Sequence, residues 1–196
     1  MTTRQRLLKI FYPVLIAAGK MLGFKAGVRK NKENIPPPVS FYDLSATLIN
    51  GKKISFSDFK GKNLLIVNIA SDCGYTSQLR ELKELYHLNN DKLAILAFPS
   101  NDFKEQEKQS DSEIASFCVT NFGVDFPLAQ KSVVVPGPTQ NEVYRWLTGK
   151  NKNGWNDTPP EWNFSKYLID KSGTLTHYFG PGVNPLSPSL VNEILV

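Results

Sequence analysis

The apolar positions of this chain change period several times, and the changes mark its elements. Leu64-Leu65-Ile66-Val67 and Leu93-Ala94-Ile95-Leu96-Ala97-Phe98 are apolar without interruption. Such runs, strand-length and not alternating, predict strands buried on both faces. Between them, Leu79, Leu82, Leu85, Tyr86 and Leu88 recur at helical spacing within Ser77 to Leu88. Strand, helix, strand predicts a parallel pair with a helical crossover. Upstream, Phe41 to Leu48 alternates weakly, Asn50-Gly51 is a turn signal, and Lys53-Ile54-Ser55-Phe56 follows. That pattern predicts a short hairpin. Downstream, Asp111 to Cys118 reads as a capped helix, Phe126-Pro127-Leu128 as an extended piece, and Asn141 to Leu147 as a short helix. Tyr167 to Asp170 and Thr174 to Phe179 flank the turn Lys171-Ser172-Gly173, and Pro188 to Leu195 reads as a closing helix.

These elements add up to an α/β domain. The expected class is a thioredoxin-like fold with a mixed central sheet, an N-terminal β-hairpin and flanking helices. The expected domain spans residues 39–196. Residues 27–38 are charged and then Pro-rich (Ile35-Pro36-Pro37-Pro38), and read as an extended linker.

Residues 1–26 form a basic, apolar, basic leader. Its unbroken apolar run, Ile10 to Ala18, is shorter than the ~20 residues a spanning helix needs. One reading is an amphipathic segment on an anionic membrane surface. The plainer reading, of equal weight, is an N-terminal helix that is flexible or packed on the core. A secretory signal comes third, since no clear small-x-small cleavage site follows. The leader also explains the net charge. Residues 1–34 carry eight basic residues and one acid, whereas the remainder has 15 basic and 17 acidic residues. The near-neutral body carries no nucleic-acid footprint. The expected location is cytoplasmic, with membrane-surface contact through residues 1–26.

Two cysteines, Cys73 and Cys118, are too few for a disulfide scaffold. With His87 and His177 they lack the short spacing of a zinc site, so no metal and no bound cofactor is expected. Cys73 follows the first buried strand in a Cys-Gly turn that opens a helix. A helix N-terminus favours an anion, so this placement is expected to lower the thiol pKa and raise reactivity.

Four stretches, in order, resemble the glutathione peroxidase family in its cysteine-containing form. They are Asn68-Ile69-Ala70-Ser71-Asp72-Cys73-Gly74-Tyr75-Thr76, Leu96-Ala97-Phe98-Pro99-Ser100-Asn101-Asp102-Phe103, Gln106-Glu107, and Trp162-Asn163-Phe164-Ser165-Lys166-Tyr167-Leu168-Ile169-Asp170. The resemblance implies a thioredoxin fold and reduction of hydrogen peroxide and organic hydroperoxides, in response to oxidative stress. Carried onto this chain, Cys73 resembles the peroxidatic nucleophile, with Gln106, Trp162 and Asn163 as the polar groups around it. Those types suit the chemistry, because the Gln106 amide and the Trp162 indole N–H are donors that do not titrate near neutrality. Cys118 resembles the resolving cysteine of thioredoxin-dependent members. On a helix it would have to be released by local unwinding before a disulfide could close.

The chain also departs from the family pattern. Ser100 and Asp102 replace a common Cys and Gln, so Cys118 alone is left to resolve. Lys108-Gln109 replaces the usual Pro-Gly, and one residue is missing before the helix. No arginine follows Cys73 where glutathione-using members place one, so thioredoxin is the expected reductant, with glutathione as the alternative. A short loop between Leu128 and Asn141 points to a monomer. Plainer roles stand beside these: an inert buried thiol for Cys73, packing in the core for Cys118 and Trp162, a polar side chain facing solvent for Gln106, a turn anchor for Trp155. A rival function is a redox sensor in which oxidised Cys73 passes a disulfide to a client protein.

Overall fold

The computed structural model describes residues 27–195. The leader, residues 1–26, and the expectation of an anchor or signal there lie outside the described residues. Among the described residues no helix is long and apolar enough to cross a membrane.

The strands are β1 (Val28–Lys30), β2 (Ser45–Thr47), β3 (Lys53–Ser55), β4 (Asn63–Ile69), β5 (Leu93–Pro99), β6 (Lys166–Ile169) and β7 (Leu175–Phe179). The helices are α1 (Gln78–Leu88), α2 (Asp111–Phe122), α3 (Glu142–Leu147), α4 (Lys150–Asn153) and α5 (Pro188–Leu195). The central sheet has the order β1-β7-β6-β4-β5, and β2-β3 form a separate hairpin. β4 and β5 pair in parallel through α1, while β6, β7 and β1 add antiparallel. This is the mixed thioredoxin-like sheet expected from the sequence.

The continuous apolar run of β4 has a simple cause. Leu65, Val67 and Ile69 face α1, α2 and α5, packing with Leu79, Leu82, Ile114 and Leu190. Leu64 and Ile66 face the other way, onto Phe41, Phe56, Tyr144 and Trp146. Side chains alternate across a strand, so a strand covered on both faces needs both sets apolar. α2 is fixed at both ends. Ser110 and Glu113 form a capping box, and Gly123 closes the helix in the left-handed conformation.

The segment read as a linker needs correction. Val28 to Lys30 are the edge strand β1, paired with Phe179, Tyr178 and His177. Three residues, two of them charged, give no apolar period to read. What holds them is backbone pairing to β7, with Asn31 buried behind them and donating to Ile35 O and Leu175 O. The Pro-rich stretch then packs against Gly154 (φ +97°), where a Cβ would sit 2.8 Å from Pro36 O. Only glycine meets both demands.

Candidate active site

β4 ends at Ile69 and β5 at Pro99, on the same end of the sheet because the two are parallel. Their following loops carry Cys73 and Gln106. The loop leading into β6, antiparallel to β4, brings Trp162 and Asn163 to that same end. Topology therefore gathers residues from three distant stretches.

Cys73 is half-buried and unbridged. Its turn is pinned by Thr76, whose hydroxyl accepts the Cys73 N–H at 3.1 Å and donates to Ala70 O at 2.9 Å. The Tyr75 N–H approaches the sulfur at 3.5 Å. The side chains of Trp162 and Asn163 lie near enough to it to pull the thiol pKa down. Asn163 is fully buried and donates from Nδ2 to Gln106 Oε1 at 3.0 Å. Gln106 in turn accepts the Asp72 N–H on its backbone carbonyl at 3.1 Å. The four residues singled out in the sequence are thus together. Trp162 and Asn163 act on the sulfur directly, while Gln106 acts through Asn163.

The electrostatics reverse one expectation. α1 starts at Gln78 with Ser77 as its N-cap, so Cys73 lies outside the helix, in turns that bond Thr76 N to Cys73 O and Gln78 N to Tyr75 O. The helix-end field falls off within a turn and does not govern the thiol. Burial pushes the Cys73 thiol up, against the pull of the Tyr75, Trp162 and Asn163 donors, and the Asp72 carboxylate adds a smaller push in the same direction. The net direction is upward, not downward. Desolvation of the charged form outweighs neutral donors here.

The walls carry strain that sequence reading misses. Lys104 and Glu105 have φ of 51° and 52°, and Phe164 has 67°. The first pair reverses the chain between Phe103 and Gln106. Phe164 turns it from Asn163 into β6. Such conformations cost on the order of 1 kcal/mol or more each and cluster at functional sites. Phe103 packs against Trp162 with ring centroids 5.4 Å apart, and the Lys104 ammonium lies 5.6 Å over the same indole. Glu107 is buried and accepts from Ser71 N at 2.8 Å and Ser71 Oγ at 2.9 Å, tying the Gln106 loop to the Cys73 loop. A charged residue beside Gln106 in the motif is the signal that could have found it.

Cys118 is 1% exposed on α2 and packs into the same apolar cluster that Cys73 borders. Burial, with a smaller push from Glu107, raises its thiol to about 12. His87 pairs with Asp125 at 2.8 Å on the surface, His177 is buried in β7, and the Trp155 indole anchors a turn on Leu175 O. Among the described residues no group of His, Cys, Asp and Glu is arranged to hold a metal.

The sequence profile of the family described as glutathione peroxidase matches residues 41–148. A glutathione peroxidase homolog of Halalkalibacterium halodurans is 42% identical over 149 residues, covering 76% of this chain and 94% of that one. The chain belongs to the glutathione peroxidase family. A glutathione peroxidase-like peroxiredoxin of Chlamydomonas reinhardtii is 43% identical over 148 residues, covering 75% of this chain and 90% of its own. The crystal structure of Trgpx in apo form aligns with a TM-score of 0.62 at 29% identity, over 81% of this chain and 94% of that one. This member of the family is an oxidoreductase of the thiol-peroxidase type, with hydroperoxides as substrates and a thiol as its source of electrons.

Proposed function

We propose that Cys73 is the peroxidatic nucleophile. The observation that carries this is the convergence of three uncharged donors, from Tyr75, Trp162 and Asn163, on one accessible sulfur. The ionised sulfur attacks one peroxide oxygen and the O–O bond breaks. The leaving oxygen takes up the proton the thiol gave, and departs as water or an alcohol. Cys73 becomes a sulfenic acid, two electrons more oxidised. Trp162 and Asn163 hold the anion and the developing charge, and Gln106 fixes the Asn163 amide so that its N–H faces the sulfur. Cys73→Ser should abolish peroxide consumption with any reductant; retained turnover would overturn this reading.

Cys118 is the resolving thiol in this reading. It condenses with the sulfenic acid, a disulfide forms and water leaves. At rest Cys118 is buried and protonated, so α2 must open first. The last turn before Gly123 is the place for that, since Val119 beside Cys118 is already 57% exposed. Thioredoxin is the reductant this cycle suits, because a disulfide is reopened by dithiol exchange. Peroxide-dependent NADPH consumption with a thioredoxin system against a glutathione system separates the two donors.

The remaining parts of the reading concern the whole protein. It works as a cytoplasmic monomer, and its basic leader contacts anionic membrane surfaces. Sedimentation tests the first. Binding to anionic vesicles by the full chain, lost on deletion of residues 1–26, tests the second.

A further inference from the structure

Lys166 opens β6, four residues beyond Trp162 in the same motif. It is an ionisable residue with 0% exposure. Its ammonium donates to Val183 O at 2.6 Å and to Pro181 O at 3.3 Å. The acid that acts on it is Glu81 of α1, which offsets part of the burial that lowers the Lys166 pKa to about 7. A buried ammonium is costly, and an apolar chain of the same length fills such a space at no loss of stability in many proteins. A buried amine with two carbonyl partners therefore calls for a reason beyond packing.

What the ammonium holds is the Pro181–Val183 loop. The same Pro181 carbonyl accepts from Gln78 Nε2 at 2.8 Å, at the start of α1. Gly182 passes beside Tyr75, where an added Cβ would lie 3.6 Å from the Tyr75 hydroxyl. The Tyr75 N–H is the backbone donor to the Cys73 sulfur. The ammonium thus holds the loop that lies beside the tip of the Tyr75 ring, and the backbone of that same residue faces the sulfur. Gln78 Oε1 and the Glu81 carboxylate are further buried polar groups of this region.

We propose that Lys166 is a positioning residue for peroxide reduction, clamping Pro181–Val183 against Tyr75 and Gln78 so that the Tyr75 N–H stays aimed at the Cys73 sulfur. This rests on the reading of Cys73 as the reacting thiol. A residue that only packs would change the melting temperature and leave the thiol alone. A clamp acts on the thiol itself.

The test uses the full chain with Cys118→Ala, so that Cys73 is the sole thiol. Two readouts are taken for Lys166→Met: the pH midpoint of Cys73 alkylation, and the rate of the single-turnover burst with hydrogen peroxide. The midpoint should move up and the burst should slow on the order of tenfold, as expected for a misaligned donor. An unchanged midpoint with a burst within twofold overturns the proposal. Gln78→Leu, which removes the second hold on Pro181, should shift both readouts the same way by less. If Lys166→Met does not fold, an unchanged Gln78→Leu overturns the proposal in its place. Cys73→Ser separates the two layers. A burst that survives it overturns the reading of the thiol and the clamp with it, whereas no burst there and a normal one in Lys166→Met overturns the clamp alone.

Discussion

Replacing Trp162 by Phe isolates one donor. The ring stays to stack on Phe103 and beneath Lys104. Only the indole N–H to the Cys73 sulfur is lost. A hydrogen bond to a charged acceptor contributes roughly 1.5–3 kcal/mol, and 1.36 kcal/mol is one pKa unit. The Cys73 thiol, already raised, should therefore rise by about one to two units more. At neutral pH the ionised fraction falls by about ten to a hundredfold. A more basic thiolate is a better nucleophile, with a Brønsted slope of about 0.4–0.5, which returns roughly three to tenfold. The ionisation effect alone thus predicts a loss of only about three to tenfold near pH 7.

The same arithmetic separates two jobs for the indole. Well above both thiol pKa values each enzyme is fully ionised, and the variant should equal or exceed the wild type if the N–H serves the sulfur alone. If it also steadies the leaving oxygen, a deficit of about 10²–10³ persists at every pH. Stopped-flow oxidation of Cys73 in a Cys118→Ala background, from pH 6 up to the alkaline limit of folding, separates the two: a loss that shrinks once the pH passes the wild-type thiol pKa marks the sulfur alone, and one of about 10²–10³ at every pH marks the leaving oxygen as well. Alkylation over the same range reads the thiol directly. A Trp162→Phe protein with an unmoved alkylation midpoint and an unchanged burst rate would refute the idea that this N–H acts on the sulfur.

Three further outcomes are expected. Thr76→Val removes the hydroxyl that holds Cys73 N and Ala70 O, and should cost about 1–3 kcal/mol in urea unfolding while broadening the Cys73 alkylation profile. Cys118 has its folded pKa raised from 9.0 to about 12, so the stability it supports is complete below pH 9 and is lost as pH climbs towards 12. The unfolding free energy of Cys118→Ala should therefore fall less steeply over that window, by up to about 1.4 kcal/mol per pH unit. An equal slope would contradict the burial of that thiol. His177 has its folded pKa pushed below 6.5 by burial, against the pull of Glu193 at 3.5 Å, so it supports stability above pH 6.5 that is lost on acidification. His177→Phe, which can keep the stack on Phe179, should flatten the decline in melting temperature between pH 7 and pH 5.

The legible parts of this chain are those where one physical cause acts locally. β4 and β5 declared themselves because burial on two faces keeps their central runs apolar, and the buried Asn63 and Asn68 of β4 sit at its ends with hydrogen-bond partners. α2 did so through its acidic first turn. β1 did not, because its three residues are held by β7 and not by their own composition. The site divides in the same way. Cys73, Gln106, Trp162 and Asn163 were readable as a set through four motifs that resemble one family. Which of them touches the sulfur was not, because Asn163 stands between Gln106 and Cys73 only after β6 has paired with β4. The direction of the Cys73 shift was misread for a similar reason. A Cys-Gly turn before a helix suggests the helix end as the source of the field, but the helix begins five residues too late, and burial is set by distant walls.

A raised thiol is compatible with a peroxidase, and the donor set shows how. A fixed cation beside Cys73 would stabilise the thiolate before substrate arrives and make it a weaker nucleophile. The site instead surrounds the sulfur with N–H groups of Tyr75, Trp162 and Asn163. Neutral donors contribute little to a protonated sulfur and more to any atom that carries negative charge. As the thiolate forms and its charge passes to the departing oxygen, the same N–H groups face charge throughout. In a half-buried site they need no reorganisation to do so. Their value depends on aim, because an N–H that swings away from the sulfur loses its effect within a fraction of an ångström. That is the use of the bonds that fix the backbone here, from Thr76 beneath the turn and from Glu107 across to Ser71.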